Sequence, residues 1–210
     1  FSGVYVDPAK IRTFDYSGKY FSYQGKGSVP RPIQGHPVRF QAGSSSSGLT
    51  FAAQKAEVVF TAQDNLQDAI AFYRHLKGLL AQYGRTADEL HILPGLAPIL
   101  GSTEQEAKER EAHFNELIVP EAAIRILSDS VNVDLTSYDP DSPFPYWEVN
   151  PETSNSKKSR LQLLKDLAKR EKLTIRQMSR HVIAAGGHHT FAGTPEQLAD
   201  LMEQWFDAGA

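Results

Sequence analysis

Three stretches that each read as strand, turn and helix follow one another between residues 37 and 118, and this rhythm limits the possible folds more than any other feature. Residues 37–43 (PVRFQAG) make an apolar run of the length of a buried strand, and a serine-rich turn then leads into a helix with Leu49, Ala52, Ala53 and Ala56 on its inner face. Residues 57–62 (EVVFTA) make a second strand. Asn65 is placed to cap a helix in which Leu66, Ala69, Ile70, Tyr73, Leu76, Leu80 and Tyr83 recur at helical spacing before Gly84. Residues 91–101 (HILPGLAPILG) read as a third strand with prolines at its centre, and Thr103 with Glu106 has the spacing of a capping box for a charged helix running to about Leu117. Consecutive β-α units imply a parallel sheet, in either a doubly wound fold or a (β/α)8 barrel.

The flanking segments break this rhythm. Phe14, Tyr16, Tyr20, Phe21 and Tyr23 around Ser17-Gly18 predict a β-hairpin, so residues 1–36 are expected to be an insertion ended by Pro30 and Pro32. Residues 119–193 form a second insertion region: a helix over 119–129, a long Asp-, Pro- and Ser-rich loop over 131–156, and helices over 161–172 and after Thr174, the last closed by Gly186-Gly187. A final helix over 194–210 opens with Thr194-Pro195-Glu196-Gln197, and Leu198, Leu201, Met202 and Trp205 are its apolar face. A complete barrel takes about 250 residues. The chain opens on Phe1 and stops at Ala210 just after a helical pattern, and the expectation is therefore a portion of a longer protein.

Charge and composition exclude several functions. A formal net charge of −3 is unsuited to holding nucleic acid through phosphate contacts. No apolar run approaches membrane-spanning length and no leader pattern opens the chain, so a cytoplasmic location is expected. The absence of cysteine removes thiolate chemistry and cysteine metal sites. His36, His75, His91, His113 and His181 show no ligand spacing, and no metal is predicted.

The segment Gln41-Ala42-Gly43-Ser44-Ser45-Ser46-Ser47-Gly48 joins a strand to a helix, where unpaired backbone N–H groups and serine hydroxyls converge at a helix N-terminus suited to a phosphate. Taken alone, such a turn is more readily read as a solvated helix cap. Further motifs surround it: Tyr5-Val6-Asp7-Pro8, Gly18-Lys19-Tyr20-Phe21, Val29-Pro30-Arg31-Pro32-Ile33-Gln34-Gly35-His36-Pro37-Val38, Leu93-Pro94-Gly95-Leu96, Asp134-Leu135, residues 143–145 and Gly193-Thr194-Pro195. With these, nearly the whole chain resembles the nitrilotriacetate, dibenzothiophene-sulfone and pristinamycin-synthase group of FMN-dependent monooxygenases in the bacterial-luciferase superfamily.

The resemblance implies an α/β fold, a partial (β/α)8 TIM barrel of the luciferase-like type in which the strands at residues 37–43, 57–62 and 91–101 are the fifth to seventh, with the first four and the eighth missing. It further implies that Gln41, Ala42, Gly43, Ser44 and Ser45, and more loosely Ser46, Ser47 and Gly48, bind the FMN phosphate. The implied activity is a two-component monooxygenase that uses FMNH2 and O2 to oxygenate a small organic substrate. A separate NAD(P)H:flavin reductase would supply the reduced flavin, and a homodimer is common among such enzymes. A non-catalytic flavin-binding protein, a deazaflavin-dependent oxidoreductase and a fragment without a function of its own are the alternatives.

His188 and His189, between Gly186-Gly187 and Phe191, are candidates for an active-site role, although adjacent histidines point in different directions and do not readily share a metal. Phe144, Tyr146 and Trp147 could form an aromatic lid. The clusters Lys157-Lys158 with Arg160, and Lys169-Arg170 with Lys172, read as exposed helix faces that could dock an anionic substrate or the reductase. Asp139-Pro140-Asp141 with Asp129 and Asp134 lacks the spacing of a calcium loop and reads as a solvated loop.

Overall fold

A computed structural model of the 210-residue chain describes every residue except Phe1, Ser2, Val4, Ser28 and 154–157. It divides into two compact units, Phe1–Val38 and Arg39–Ala210. The first contains the expected hairpin: β1 (Thr13–Ser17) pairs antiparallel with β2 (Ser22–Lys26), and Phe14 stacks on Tyr23 at 5.2 Å and Tyr16 on Phe21 at 5.6 Å.

In the second unit the parallel sheet is present. β3 (Phe40–Ala42) pairs with β4 (Val58–Thr61), which pairs with β5 (His91–Pro94). Between them run α1 (Ser46–Lys55) and α2 (Leu66–Leu80), capped by Ser45 and Asn65. Leu49, Ala52, Ala53 and Ala56 are buried as expected, and they pack with Val59, Leu76, Leu80 and Leu90 into one core. The small alanines let α1 lie close against β4. β3 departs from expectation: it is shorter than residues 37–43 and largely exposed, with Phe40 at 64%. The cause is pairing on one side only, with Phe40 on the face turned away from α1. Phe60 and Leu93, on the same face by register, are also exposed.

Residues 91–101 do not form one strand. The ladder with β4 stops at Pro94, Gly95 N–H donates to Thr61 O at 2.9 Å, and the chain continues as β6 (Leu96–Leu100) with a different partner. That partner, β7 (His189–Gly193), runs parallel to β6 in register Leu96↔His189 to Leu100↔Gly193, inside the region read above as an insertion before the final helix. Each half is paired on one side only, which is where strands accept proline, here Pro94 and Pro98. β7 thus begins where β4 ends, beyond the C-terminal ends of the sheet.

α3 (Glu104–Glu116) follows β6, with Thr103 accepting from Glu106 N–H; the Glu106 carboxylate reaches back to Ser102 N–H rather than to Thr103. α4 (Pro120–Val131), α5 (Lys158–Glu171) and α6 (Ile175–Ala185) enclose a second core of Ile124, Leu127, Leu161, Leu164, Ile175 and Met178. The loop between α4 and α5 is pinned to that core by Leu135, Phe144 and Val149. Phe144, at 1% exposed, is therefore a core residue and not part of a lid; Trp147 stays exposed, edge-on to Tyr146. α7 (Pro195–Asp207) has its full capping box, but Leu198, Leu201, Met202 and Trp205 are not buried. Leu201, Met202 and Trp205 line, with Ile92, Leu93 and His189, a groove of about 330 Å3 along the open edge of β5. Among the described residues no helix is long and apolar enough to cross a membrane.

Arg85 ties the sheet-forming segment together. Its guanidinium donates to Ala53 O at 2.9 Å, Ala56 O at 2.7 Å, Glu89 O at 2.6 Å and, more distantly, Ala52 O at 3.3 Å, which satisfies the last carbonyls of α1. Replacing it with methionine keeps much of the packing but strands these acceptors. Arg85→Met is expected to cost about 1–3 kcal/mol of stability in urea unfolding. Arg85→Lys should recover part of the loss, because a lysine carries the charge without the planar fork. Wild-type stability in Arg85→Met would show that the clamp is incidental.

Candidate functional site

The C-terminal ends of β3, β4 and β5 bring the candidate residues together. At the end of β3 the chain turns at Gly43, whose φ of 121° is a conformation that side-chain-bearing residues avoid. Ser45 then caps α1, its Oγ accepting from Gly48 N–H at 3.2 Å, while Leu49 N–H bonds to Ser45 O. This leaves the N–H groups of Ser46 and Ser47 as first-turn donors with no intrahelical acceptor. Open space surrounds Gly43: a Cβ built there meets nothing within 4 Å. The glycine is thus required by backbone conformation and not by crowding, and the junction offers an unobstructed cluster of donors at the positive end of a helix. Gln41 is half-buried within β3, and its side-chain amide lies close behind Gly48, while Ala42 ends the strand.

A polar cavity of about 160 Å3 adjoins this junction. It is lined by Ser44, Gln63, Asp64, Asp68, Ser159 and Arg170, among others, and so lies between the end of β3, the end of β4 and α5. Gln63 is buried and donates to Thr61 Oγ1 at 3.0 Å. Arg170 donates to Asp64 at 2.6 Å, where the Asp64 side chain is only 7% exposed, and this pair fixes α5 over the sheet. Lys169, Arg170 and Lys172 are exposed, as expected for a charged helix face, and Arg170 in addition makes this structural contact. Lys157, in the other cluster, lies outside the described residues. Asp141, expected in a solvated loop, is held by a forked pair of bonds from Arg176 at 2.7 and 2.9 Å.

The two histidines diverge. His189 Nδ1 bonds to Asp64 O at 2.8 Å and its ring rests against Trp205 at 5.1 Å, so it joins β7 and α7 to the end of β4. His188 stacks on Phe60 at 5.1 Å, and its imidazole occupies the space that a side chain on Gly95 would need. Its Nδ1 is buried with no hydrogen-bond partner among the described residues, as is Nε2 of His181 on α6. Nothing in the sequence singles out His181, because an isolated histidine on a helix has no local signature of burial. No group of three or more metal-ligating side chains is found among the described residues.

Burial pushes the His181 imidazole below its ordinary value of 6.5; the Asp64 charge opposes this and His189 reinforces it. Burial also lowers His188, with the Arg160 charge acting in the same direction. Both groups are thus favoured as neutral in the folded chain. As pH falls below about 6.5 the unfolded chain takes up these protons first, so stability present above that pH is lost until the folded values are passed. Thermal unfolding should shift to lower temperature between about pH 7 and pH 5.5, less steeply in His181→Gln, before most carboxylates titrate. A pH dependence identical in the variant would exclude His181 as a source.

With this geometry in hand, comparison with known proteins is decisive at the family level. The profile of the luciferase-like monooxygenases matches residues 9–210. N-acetyl-S-(2-succino)cysteine monooxygenase of Bacillus subtilis (strain 168) is 40% identical over the whole chain, and nitrilotriacetate monooxygenase component A of Aminobacter aminovorans is 44% identical over 205 residues, 97% of the chain. The chain spans only 47% and 45% of these two proteins, a little under half their length. Among solved structures, DmoA from Hyphomicrobium sulfonivorans superposes with a TM-score of 0.80 at 27% identity, covering 99% of this chain and 43% of that one. Riboflavin lyase RcaE, solved with modified FMN and riboflavin, gives a TM-score of 0.74 at 26% identity, covering 99% of this chain and 44% of that one. The parallel sheet, the strand-turn-helix junction at Gly43 and these matches together establish that the chain belongs to the luciferase-like monooxygenase family, as a partial barrel of its α/β fold.

Proposed function

We propose that this chain is part of a two-component flavin-dependent monooxygenase that oxygenates a small organic substrate with FMNH2 and O2. A separate NAD(P)H:flavin reductase would supply the reduced flavin. The observation that carries this reading is the β3–α1 junction: Gly43 in a glycine-only conformation, Ser45 as cap, and the free first-turn donors of Ser46 and Ser47 at the C-terminal edge of a parallel sheet. In barrels of this kind that edge is where active sites are built. The donor set fits a phosphate monoester, and Gln41, Ala42, Gly43, Ser44 and Ser45 are assigned to the FMN phosphate. The names of the relatives, monooxygenases of nitrilotriacetate and of N-acetyl-S-(2-succino)cysteine, support the same class of reaction.

In this reading the bound flavin supplies the oxygen-activating chemistry. The first turn of α1 holds and orients the phosphate, so that the ring reaches the strand ends. Phe60 and Leu93 provide an apolar wall that sheds water from the space above them. His188, neutral and packed on Phe60, adds a polar edge without a charge. His189 acts through its bond to the Asp64 carbonyl and its packing on Trp205, positioning β7 rather than meeting the flavin.

Aspartate is as good a helix cap as serine but puts a negative charge where the phosphate would sit. In the protein expressed from its complete reading frame, Ser45→Asp should fold with unchanged or higher stability. It should weaken FMN binding about tenfold or more while leaving riboflavin, which lacks the phosphate, unaffected. Equal loss for both flavins, or for neither, would remove the phosphate assignment.

A further inference from the structure

Three arginines of the chain are half-buried, and two of them are satisfied: Arg85 by carbonyls and Arg176 by Asp141. Arg160 is the third, and it makes no hydrogen bond or ion pair with any described residue. The residues left undescribed include no aspartate or glutamate, so every acidic side chain of the protein is accounted for and none pairs with it. A half-buried guanidinium has five donors to satisfy, and an anion that accepts two of them at once answers them well.

Its surroundings are shaped for one. Arg160 stands near the start of α5 with Nη1 3.2 Å from where a Cβ would sit on Gly186 and 3.7 Å from one on Gly187. Both glycines have left-handed backbone, φ 57° and 87°, so the guanidinium lies over bare backbone, bordered at Gly187 by Leu163 Cδ2 at 3.3 Å from where a Cβ would sit. The next residue is His188, which stacks on Phe60 at the end of β4. A cation, a neutral imidazole and an aromatic ring thus succeed one another from α5 to the sheet. The donors assigned to the flavin phosphate lie at a different strand end, after β3, where Ser45 caps α1.

We propose that Arg160 recognises a carboxylate of the substrate, its planar fork gripping the acid while His188 and Phe60 flank the remainder of the molecule. This assignment rests on the monooxygenase reading and narrows its substrate to small organic acids. Guanidinium favours a carboxylate held in two-point contact, and a lysine would supply only the charge.

The test is calorimetric titration of the full-reading-frame protein, with and without FMN, using nitrilotriacetate and its uncharged trimethyl ester as probes. Wild type should bind the acid and not the ester. Arg160→Met should weaken the acid about tenfold or more with FMN affinity unchanged, and Arg160→Lys should fall between the two. Unfolding temperatures within error of wild type establish that the variants are folded. Equal binding of acid and ester, no binding of the acid by wild type, or an unaltered Arg160→Met each overturns the proposal. A variant that loses FMN instead assigns the guanidinium to the flavin phosphate, which overturns the substrate role while sparing the monooxygenase reading. Failure of wild type to bind FMN at all overturns that reading, whereas Arg160-dependent acid binding without FMN still upholds the anion site.

Discussion

The handover at Gly95 is the constraint on which the arrangement depends. Up to Pro94 the chain belongs to the sheet of β3, β4 and β5; from Leu96 it belongs to β7, and the single bond from Gly95 N–H to Thr61 O marks the exchange. That exchange places β7 beyond the ends of the other strands. It brings His189 to the carbonyl of Asp64 and His188 over Phe60. The missing side chain at Gly95 is what admits the His188 ring. The histidine pair, α5 and the serine junction are brought to one face because a strand changes partner halfway along.

The helices were legible because their signals are local. Asn65, Thr103, Thr174 and Thr194 cap where the sequence places caps, and the alanine face of α1 follows directly from periodicity. The junction at residues 41–48 was legible for the same reason, since glycine and serine at a strand-to-helix turn speak about backbone and donors within eight residues. β7 was not legible: His189–Gly193 is five residues without strict alternation, and its partner lies more than ninety residues earlier. The aromatic lid misled because Phe144 and Trp147 are equally apolar in composition. Only the fold of α4, α5 and α6 decides that one fills a core and the other meets solvent.

Arg160 shows the same divide from the other side. In the sequence it is one of a run of basic residues at the start of a helix, which most often marks a solvated surface. The glycine pair that makes room for it is twenty-six residues away, and its lack of a carboxylate partner becomes visible only when every acidic side chain has a position. Arg170, from the neighbouring cluster, turned out to be a structural tie to Asp64. Charge runs therefore do not foretell function residue by residue; the partner does.

The clamp at Arg85 also bears on how this part of the molecule comes apart. Its acceptors lie 29 to 33 residues before it at the end of α1, and four residues after it at Glu89. The contact cannot exist until β4 and α2 have brought the chain back past α1. Opening α1 alone would break it. The stretch from the serine junction to Leu90 should consequently exchange its amide protons as one cooperative unit rather than fray helix by helix, and the donors at Ser46 and Ser47 inherit the rigidity of that whole unit.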